Sequence, residues 1–279
     1  MTVTVPPHIA GYMNGSEHRF IPSKEKAKAL MILLPCMGGN ILAYRYPYSL
    51  WSKLGYNMFL FNPPGHGKSD GIFSFEESFR LLKEGIDRLD KERGKLPLIG
   101  IGHSGGGSGI LKFFSQYPEY EISGIFLLSP ILDTAESLHF LYQNSNINEF
   151  INSLKIKNVR IREVLGTNRW LDENVWDNEG LKEKLNAWAS ASGEIYADLG
   201  TFLENIFIPS RKFHQYMKQS SDRTVLFLPK QDIWYPMNDS IDAVERFGIR
   251  KRVIQTAENH FFRNGWQDVG KEITSFLES

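Results

Sequence analysis

The sequence has one cysteine, no excess of either charge and no long apolar run, and each shortage excludes a class of protein. With only Cys36 present, the chain can form neither an internal disulfide nor a cysteine-rich metal site. Its 32 Lys and Arg residues balance 32 Asp and Glu residues, whereas a protein that binds nucleic acid through phosphates usually carries a basic excess. The longest apolar runs, 29–34 and 124–128, are too short to cross a bilayer. We therefore expect neither a transmembrane segment nor a nucleic acid partner.

The first twenty residues also lack the basic head and apolar stretch of a secretory signal, so we expect a cytoplasmic protein. Of the 279 residues, 42% are hydrophobic. This composition is typical of a globular protein and suffices for one large core, or for a core with a lid.

Strand-sized apolar runs alternate with amphipathic stretches from residue 29 to about 130, and again from 224 onward. Continuously apolar strands that alternate with helices indicate a mostly parallel sheet covered on both faces, with its active site at the carboxyl ends of the strands. The predicted strands are 29–34, 56–61, 96–102, 122–129, 224–228 and 252–255, and the predicted helices are 40–54, 75–93, 105–117, 237–247 and 267–277.

The segment between these two parts has a different pattern. Residues 134–222 show no clear strand and many helix-forming residues. We interpret this segment as a helical cap, inserted before the strand that begins at 224, over a core formed by 1–133 and 223–279.

The most informative motif is Gly102-x-Ser104-x-Gly106, which lies between a predicted strand and a predicted helix. A nucleophilic serine raised above a sheet needs a sharp, strained turn, and side chains two residues away on either side would collide. The following helix points its first amides, beginning with that of Gly105, toward an oxyanion formed beside Ser104. The context favours Ser104 as a nucleophile.

Two other readings of these glycines compete. Gly100-x-Gly102-x-x-Gly105 fits a dinucleotide fingerprint, but no acidic residue ends the next strand about twenty residues on, where the ribose would need one. The motif could also be a glycine-rich packing turn with an idle serine.

The serine needs a general base, for which seven histidines are available. His260 follows the last predicted strand, 252–255, where this sheet would place the base. His66 lies at the active face beside a different strand end, and His103 adjoins the serine and should project away from it. The others are remote: His8 and His18 in a predicted N-terminal hairpin, and His139 and His214 in the predicted cap.

The base in turn needs an acid to orient it. Asp232 comes shortly after the strand 224–228, and the order Ser104, Asp232, His260 is the one expected of this fold. Asp133, after the strand 122–129, is the alternative acid.

Four motifs together resemble the α/β-hydrolase superfamily: Gly-His-Ser-Gly-Gly at 102–106, Pro-Gly-His-Gly-Lys-Ser-Asp at 64–70, Gln-Asp-Ile-Trp-Tyr-Pro at 231–236 and Asn-His-Phe-Phe at 259–262. The resemblance is nearest to the lysophospholipase, monoacylglycerol lipase and serine aminopeptidase-like group. It implies that Ser104 attacks an acyl carbon, His260 transfers the proton and Asp232 orients His260.

One loop departs from this family's usual His-Gly-x-x-Gly, since 35–39 reads Pro-Cys-Met-Gly-Gly. The resemblance implies that the backbone amides of Met37 and Gly105 hold the oxyanion. Cys36, beside this predicted hole, is interpreted as a small packing residue.

We expect a small acyl ester or thioester as substrate and expect neither a metal nor an organic cofactor, because no ligand-spaced His, Asp or Glu motif occurs. An acyltransferase could use the same three residues. A ligand-binding protein on a hydrolase scaffold, with little turnover, is the alternative outside enzymes.

Overall fold

The computed structural model describes residues 9–36, 39, 41–71, 73–132, 159–160, 196–197, 211–232 and 237–279. Within them the strands are β1 Ile9–Met13, β2 Ser16–Ile21, β3 Ala29–Leu34, β4 Tyr56–Phe61, β5 Leu98–His103, β6 Ile122–Leu128, β7 Val159–Arg160, β8 Tyr196–Ala197, β9 Thr224–Pro229 and β10 Arg250–Ile254. The α-helices are α1 Arg45–Trp51, α2 Phe75–Arg93, α3 Gly105–Gln116, α4 Arg211–Gln219, α5 Met237–Arg246 and α6 Trp266–Leu277, with 3-10 helices at Ile41–Tyr44, Ser52–Leu54 and Ser221–Arg223.

Eight strands form one sheet in the order β1-β2-β4-β3-β5-β6-β9-β10. The hairpin of β1 and β2 is antiparallel, and β2 joins β4 antiparallel. From β4 to β10 all neighbours are parallel. The prediction of a mostly parallel sheet with flanking helices, of the α/β-hydrolase type, is confirmed.

The inner parallel strands are mostly apolar because both faces of the sheet are covered, whereas the edge strand β10 buries only Ile254 among its five residues. Along β3 the side chains alternate, so Leu30, Ile32 and Leu34 enter one core while Met31 and Leu33 enter the other. The first core contains residues of α2, α3 and α5, and the second contains residues of α1 and α6. The carboxyl ends of the parallel strands therefore lie between two rigid layers, at one edge of the sheet.

Most predicted elements match the structure within two residues at each end, and helix 75–93 and strands 29–34 and 56–61 match fully. The predicted helix 40–54 is divided into α1 and two 3-10 turns. Gly55 ends it with φ of 91°, a left-handed conformation that glycine adopts without strain.

The predicted cap, 134–222, is described only at β7, β8, α4 and the 3-10 helix before β9. No strand was predicted there, and the antiparallel pair of β7 and β8 has two residues per strand, too few to leave a periodic pattern. Helix α4 packs against α3 and buries Met217 in the same core as Phe113. The division into core and cap stays a prediction, because the rest of the segment lies outside the described residues.

Among the helices that the structure describes, none combines the length and apolarity needed to cross a bilayer. The longest of them, α2, carries acidic residues in its first turn and basic residues in its last. This arrangement complements the helix dipole.

Helix α2 begins at a side-chain cap, Ser74, a residue type that favours this position directly before the predicted helix 75–93. The hydroxyl of Ser74 accepts a hydrogen bond of 3.1 Å from the backbone amide of Glu77. This bond satisfies one of the amides that a helix leaves without a partner at its start.

We expect Ser74→Ala to lower the free energy of unfolding by about 1 kcal/mol, because the cap is lost. Ser74→Asp, which restores an acceptor, should remain near wild type. Urea denaturation of the three proteins measures this difference, and equal stability of the alanine and aspartate variants would contradict the capping role.

Candidate active site

Ser104 lies at the sharp turn between β5 and α3. Its φ of 54° and ψ of −122° fall in a region that non-glycine residues rarely adopt. The backbone is held on both sides: the Ser104 amide donates to the Leu128 carbonyl at 2.9 Å, and the Ile131 amide donates to the Ser104 carbonyl at 3.1 Å. The side chain is largely buried, with 8% of the residue exposed. Such strain at a fixed turn is typical of a nucleophile elbow.

The glycines on either side of Ser104 are required by close backbone contacts. A Cβ at Gly102 would lie 2.3 Å from the carbonyl oxygen of Gly106, and one at Gly106 would lie 2.3 Å from that of Leu34. The expected collision at both positions is therefore present in the structure. Gly100, part of the alternative dinucleotide fingerprint, has a packing reason too, since its Cβ would lie 2.4 Å from the ring of Phe114.

Asp232 and His260 meet at the carboxyl ends of β9 and β10. The Nδ1 atom of His260 lies 2.8 Å from Oδ2 of Asp232, and 6% and 1% of their side chains are exposed. The two loops are joined directly, because the Lys230 amide donates to the Ala257 carbonyl at 2.7 Å. The alternative acid, Asp133, lies outside the described residues.

Some of the other histidines make contacts within the fold, and the side chains of the rest lie outside the part of the chain that the structure describes. His66 is buried, its ring donates from Nδ1 to the Pro64 carbonyl at 3.2 Å, and burial lowers its pKa to about 4. His18 lies on β2, between β1 and β4 and away from the elbow strand β5, and its ring packs next to Phe59. The structure describes the side chains of four histidines, which are His18, His66, His103 and His260. Among these four, His260 is the one that hydrogen-bonds to a carboxylate.

The loop that carries His66 is anchored by a buried carboxylate. Glu17 accepts a hydrogen bond of 2.6 Å from the side-chain amide of Asn62, and its own backbone amide donates to the Ser69 hydroxyl at 2.8 Å. The Asn62 side-chain oxygen accepts from the Ile41 amide at 2.9 Å. These contacts tie β2, the end of β4 and the start of the helical segment at residue 41 together beside the elbow.

A cavity of about 30 Å³, close to the volume of one water molecule, separates His66 from the elbow. Its wall includes Pro35, Phe73 and Gly105. His66 thus adjoins the candidate site as a neutral, packed ring, and it does not contact the Asp232–His260 pair in the part of the chain that the structure describes.

The predicted oxyanion loop is described at both ends. The Gly39 amide donates to the Cys36 carbonyl at 2.8 Å, and Met37 and Gly38 lie outside the described residues. Gly105 is the first residue of α3, where the amides have no partner within the helix. Burial raises the pKa of the Cys36 thiol to about 11, so it stays protonated and is a poor nucleophile.

Two buried side chains beside the site were not identified as functional from the sequence. In the sequence, Tyr44 is one of the hydrophobic residues at helical spacing in the predicted helix 40–54. In the structure its hydroxyl lies 2.7 Å from Nδ1 of His103 and 2.9 Å from the Cys36 amide. Nε2 of His103 lies 2.8 Å from the carbonyl oxygen of His260. A periodic pattern reports only that Tyr44 is buried and cannot identify the partner of its hydroxyl.

His, Cys, Asp and Glu side chains form no group of three or more that could hold a metal ion in the described part of the chain. The groups assembled at this edge of the sheet are instead a strained serine, a histidine–carboxylate pair and helix amides. Such a set can carry out nucleophilic acyl transfer.

Comparison with protein families gives one match, to the serine aminopeptidase, S33 family, over residues 25–203. This match spans more than half of the chain and includes the elbow. The chain belongs to this family.

Solved structures confirm the fold of this S33 family member along nearly its whole length. The soluble variant of monoglyceride lipase from Saccharomyces cerevisiae aligns with a TM-score of 0.72 and 16% identity, over 99% of this chain and 96% of the lipase. The carboxyl esterase from Bacillus coagulans aligns with a TM-score of 0.69 and 12% identity, over 98% and 97%. The monoacylglycerol lipase from Paleococcus ferrophilus aligns with a TM-score of 0.60 and 16% identity, over 93% and 97%. No curated protein matches the sequence significantly.

We expect Gly106→Ala to destabilise this S33 family member by about 2 kcal/mol or more, because the added methyl group would press on the backbone of β3. Gly109→Ala is a matched control on α3, where a Cβ would lie 3.2 Å from the ring of Phe75, a side chain that can move. It should be neutral or stabilising, since alanine favours the helix. Thermal unfolding compares the two, and equal effects would contradict the steric argument.

Because His66 is buried and neutral, we expect the free energy of unfolding to decrease in acid. The unfolded histidine takes up a proton near pH 6.5, whereas the folded one stays neutral until its pKa of about 4. The unfolded state therefore binds more protons between these values, and the free energy of unfolding falls as the pH falls. At pH 5 this contribution is about 2 kcal/mol.

His66→Gln cannot take up that proton and should be less sensitive to acid than wild type. The difference in unfolding free energy between the two proteins should narrow by about 2 kcal/mol from pH 7 to pH 5 in urea titrations. A constant difference across this range would contradict the neutral, buried state of His66.

Proposed function

We propose that the protein is a serine hydrolase that cleaves a carboxylic ester or thioester through an acyl-enzyme on Ser104. The observation that carries the proposal is the 2.8 Å contact between His260 and Asp232 at the same sheet edge as the strained Ser104. A buried serine after β5, a carboxylate after β9 and an imidazole after β10 form the set that acyl transfer needs.

In the proposed reaction the Ser104 oxygen attacks the acyl carbon and its proton passes to Nε2 of His260. Asp232 accepts the hydrogen bond from Nδ1, which leaves Nε2 free to act as base and stabilises the imidazolium that forms. The protonated His260 then gives its proton to the departing alcohol or thiol. A water molecule, deprotonated by His260, attacks the acyl-enzyme and releases the acid, and Ser104 recovers its proton.

The tetrahedral intermediate carries a negatively charged oxygen. We assign the hydrogen bonds that stabilise it to the backbone amides of Gly105 and Met37. The Gly105 amide opens α3, where the helix dipole adds a partial positive charge. Donors of this kind each lower the barrier by about 3–4 kcal/mol. The substitution of Pro-Cys for the usual His-Gly at 35–36 leaves these backbone amides unchanged in number.

The choice of an ester or thioester draws support from the structural relatives, which include a carboxyl esterase and monoglyceride lipases. The family's own description, serine aminopeptidase, points to amides. An activated serine with its pair of partners can attack either, and substrates that differ only in the leaving atom distinguish them.

We expect the wild-type protein to hydrolyse short p-nitrophenyl esters, and a fluorophosphonate to label Ser104. Ser104→Ala should abolish both, and Asp232→Asn should lower kcat by about four orders of magnitude, because the wrong histidine tautomer is then favoured. Labelling read by intact mass and peptide mapping, together with initial rates, measures these effects.

Ser115→Ala is the matched control on α3, since its hydroxyl bonds within the helix to the Lys112 carbonyl. It should keep wild-type labelling. Asp133→Asn tests the alternative acid and should also remain active. A folded wild-type protein as inert as Ser104→Ala would overturn the catalytic proposal in favour of a binding protein, and labelling without hydrolysis would favour an acyltransferase.

A further inference from the structure

A continuous path of hydrogen bonds runs beneath the candidate site, from the oxyanion loop to the loop of the general base. The Cys36 amide contacts the Tyr44 hydroxyl at 2.9 Å, this hydroxyl contacts Nδ1 of His103 at 2.7 Å, and Nε2 of His103 contacts the His260 carbonyl at 2.8 Å. Tyr44 and His103 are 3% and 1% exposed.

The chemistry of the groups assigns one direction to every bond. The His260 carbonyl can only accept, so Nε2 of His103 carries the proton. Burial, with the neighbouring His260 as a smaller cause, lowers the pKa of His103 to about 3, so the ring is neutral and Nδ1 is an acceptor. The Tyr44 hydroxyl then donates to Nδ1 and accepts from the Cys36 amide. Each bond in the path then joins one donor to one acceptor.

The two ends of this path are far apart in both the chain and the sheet. His103, in the middle of the path, is already 157 residues from His260, and the strands before the two ends, β3 and β10, are separated by β5, β6 and β9. Cys36 precedes Met37, and His260 is the proposed base. His103 itself is the last residue of β5, directly before Ser104. The path therefore ends on two backbone groups, the Cys36 amide and the His260 carbonyl, and passes through the residue next to Ser104.

Aromatic side chains enclose the path and keep it from being replaced by solvent. Trp266 meets the rings of both Tyr44 and His103 edge-on, and Phe262 meets that of His103. Within such an enclosure a removed hydroxyl leaves the Cys36 amide without a partner rather than with a water molecule.

We propose that Tyr44 and His103 act as positioning residues, forming a buried bridge that holds the oxyanion loop and the His260 loop in register on either side of Ser104. The inference rests on the proposed function for its catalytic consequence. Neither side chain takes part in proton transfer; the bridge sets the distance between the amides that receive the oxyanion and the imidazole that moves the proton. Small displacements of such groups lower turnover more than binding.

Tyr44→Phe removes the central hydroxyl and keeps the ring. We expect kcat for a p-nitrophenyl ester to fall about tenfold or more, with KM changed by less than about twofold. Tyr48→Phe is the matched control, because Tyr48 is buried on the adjoining helix α1, stacks on Tyr44 and donates its hydroxyl to the Ile41 carbonyl instead. It should keep the wild-type kcat. If the Tyr44 hydroxyl only stabilised the fold, both variants would have a lower melting temperature and the same kcat.

Two substitutions of His103 test the bond to the His260 loop. The side-chain amide of His103→Gln reaches as far as Nε2 and can still donate to the carbonyl, whereas that of His103→Asn ends near the position of Nδ1. The glutamine variant should therefore retain several-fold more kcat than the asparagine variant. Equal loss in the two would overturn the assignment of this bond.

Hydrogen exchange tests the bridge without relying on turnover. In Tyr44→Phe the amides of Cys36 and Phe262 should exchange faster than in wild type, while Tyr48→Phe should leave them protected. Wild-type exchange at both amides together with wild-type kcat in folded Tyr44→Phe would overturn the bridge. If wild type fails to label at Ser104, the proposed function fails, and the exchange result alone then decides the bridge.

Discussion

The close approach between the first turn of α3 and the carboxyl end of β3 is the contact on which the rest of the site depends. Gly106 allows the helix to come so near that even one methyl group would meet the Leu34 carbonyl at 2.3 Å. This approach forces the chain at Ser104 into a left-handed conformation, whose cost of about 1–3 kcal/mol is offset by backbone bonds to the ends of β6 and its following loop. It also points the start of α3 at the serine.

The geometry of the parallel sheet explains why residues from distant parts of the sequence lie at the same edge of the sheet. Parallel strands end at the same edge, so the loops after β3, β5, β9 and β10 converge there. Direct bonds between loops, such as that between Lys230 and Ala257, limit their relative movement. The site is thus built on rigid elements, and the loops add short, mutually bonded turns.

Several buried polar groups around the site are paired with specific partners, whereas the two cores beneath it are apolar. Glu17 and Asn62 secure the loop with His66, while Tyr44 and His103 connect the loops with Cys36 and His260. In a medium of low dielectric such bonds hold their geometry strongly, because breaking one leaves an unsatisfied group. The aromatic rings of Phe262 and Trp266 supply that medium.

The sequence by itself determined the fold class, most element boundaries and the elbow, because these depend on local patterns. Unbroken apolar runs such as 29–34, the cap at Ser74 and the glycines around Ser104 each report a constraint within a few residues. Motif order also indicated Asp232 and His260, whose pairing is a contact between separate loops. Only the tertiary structure decided which polar atoms inside the core meet: Tyr44, one more apolar position in a helical pattern, bonds to His103, and His103 reaches a backbone carbonyl 157 residues away. Hydrophobic periodicity encodes which face of an element is buried, but a hydrogen bond between side chains depends on ångström-scale placement that arises only when the elements pack.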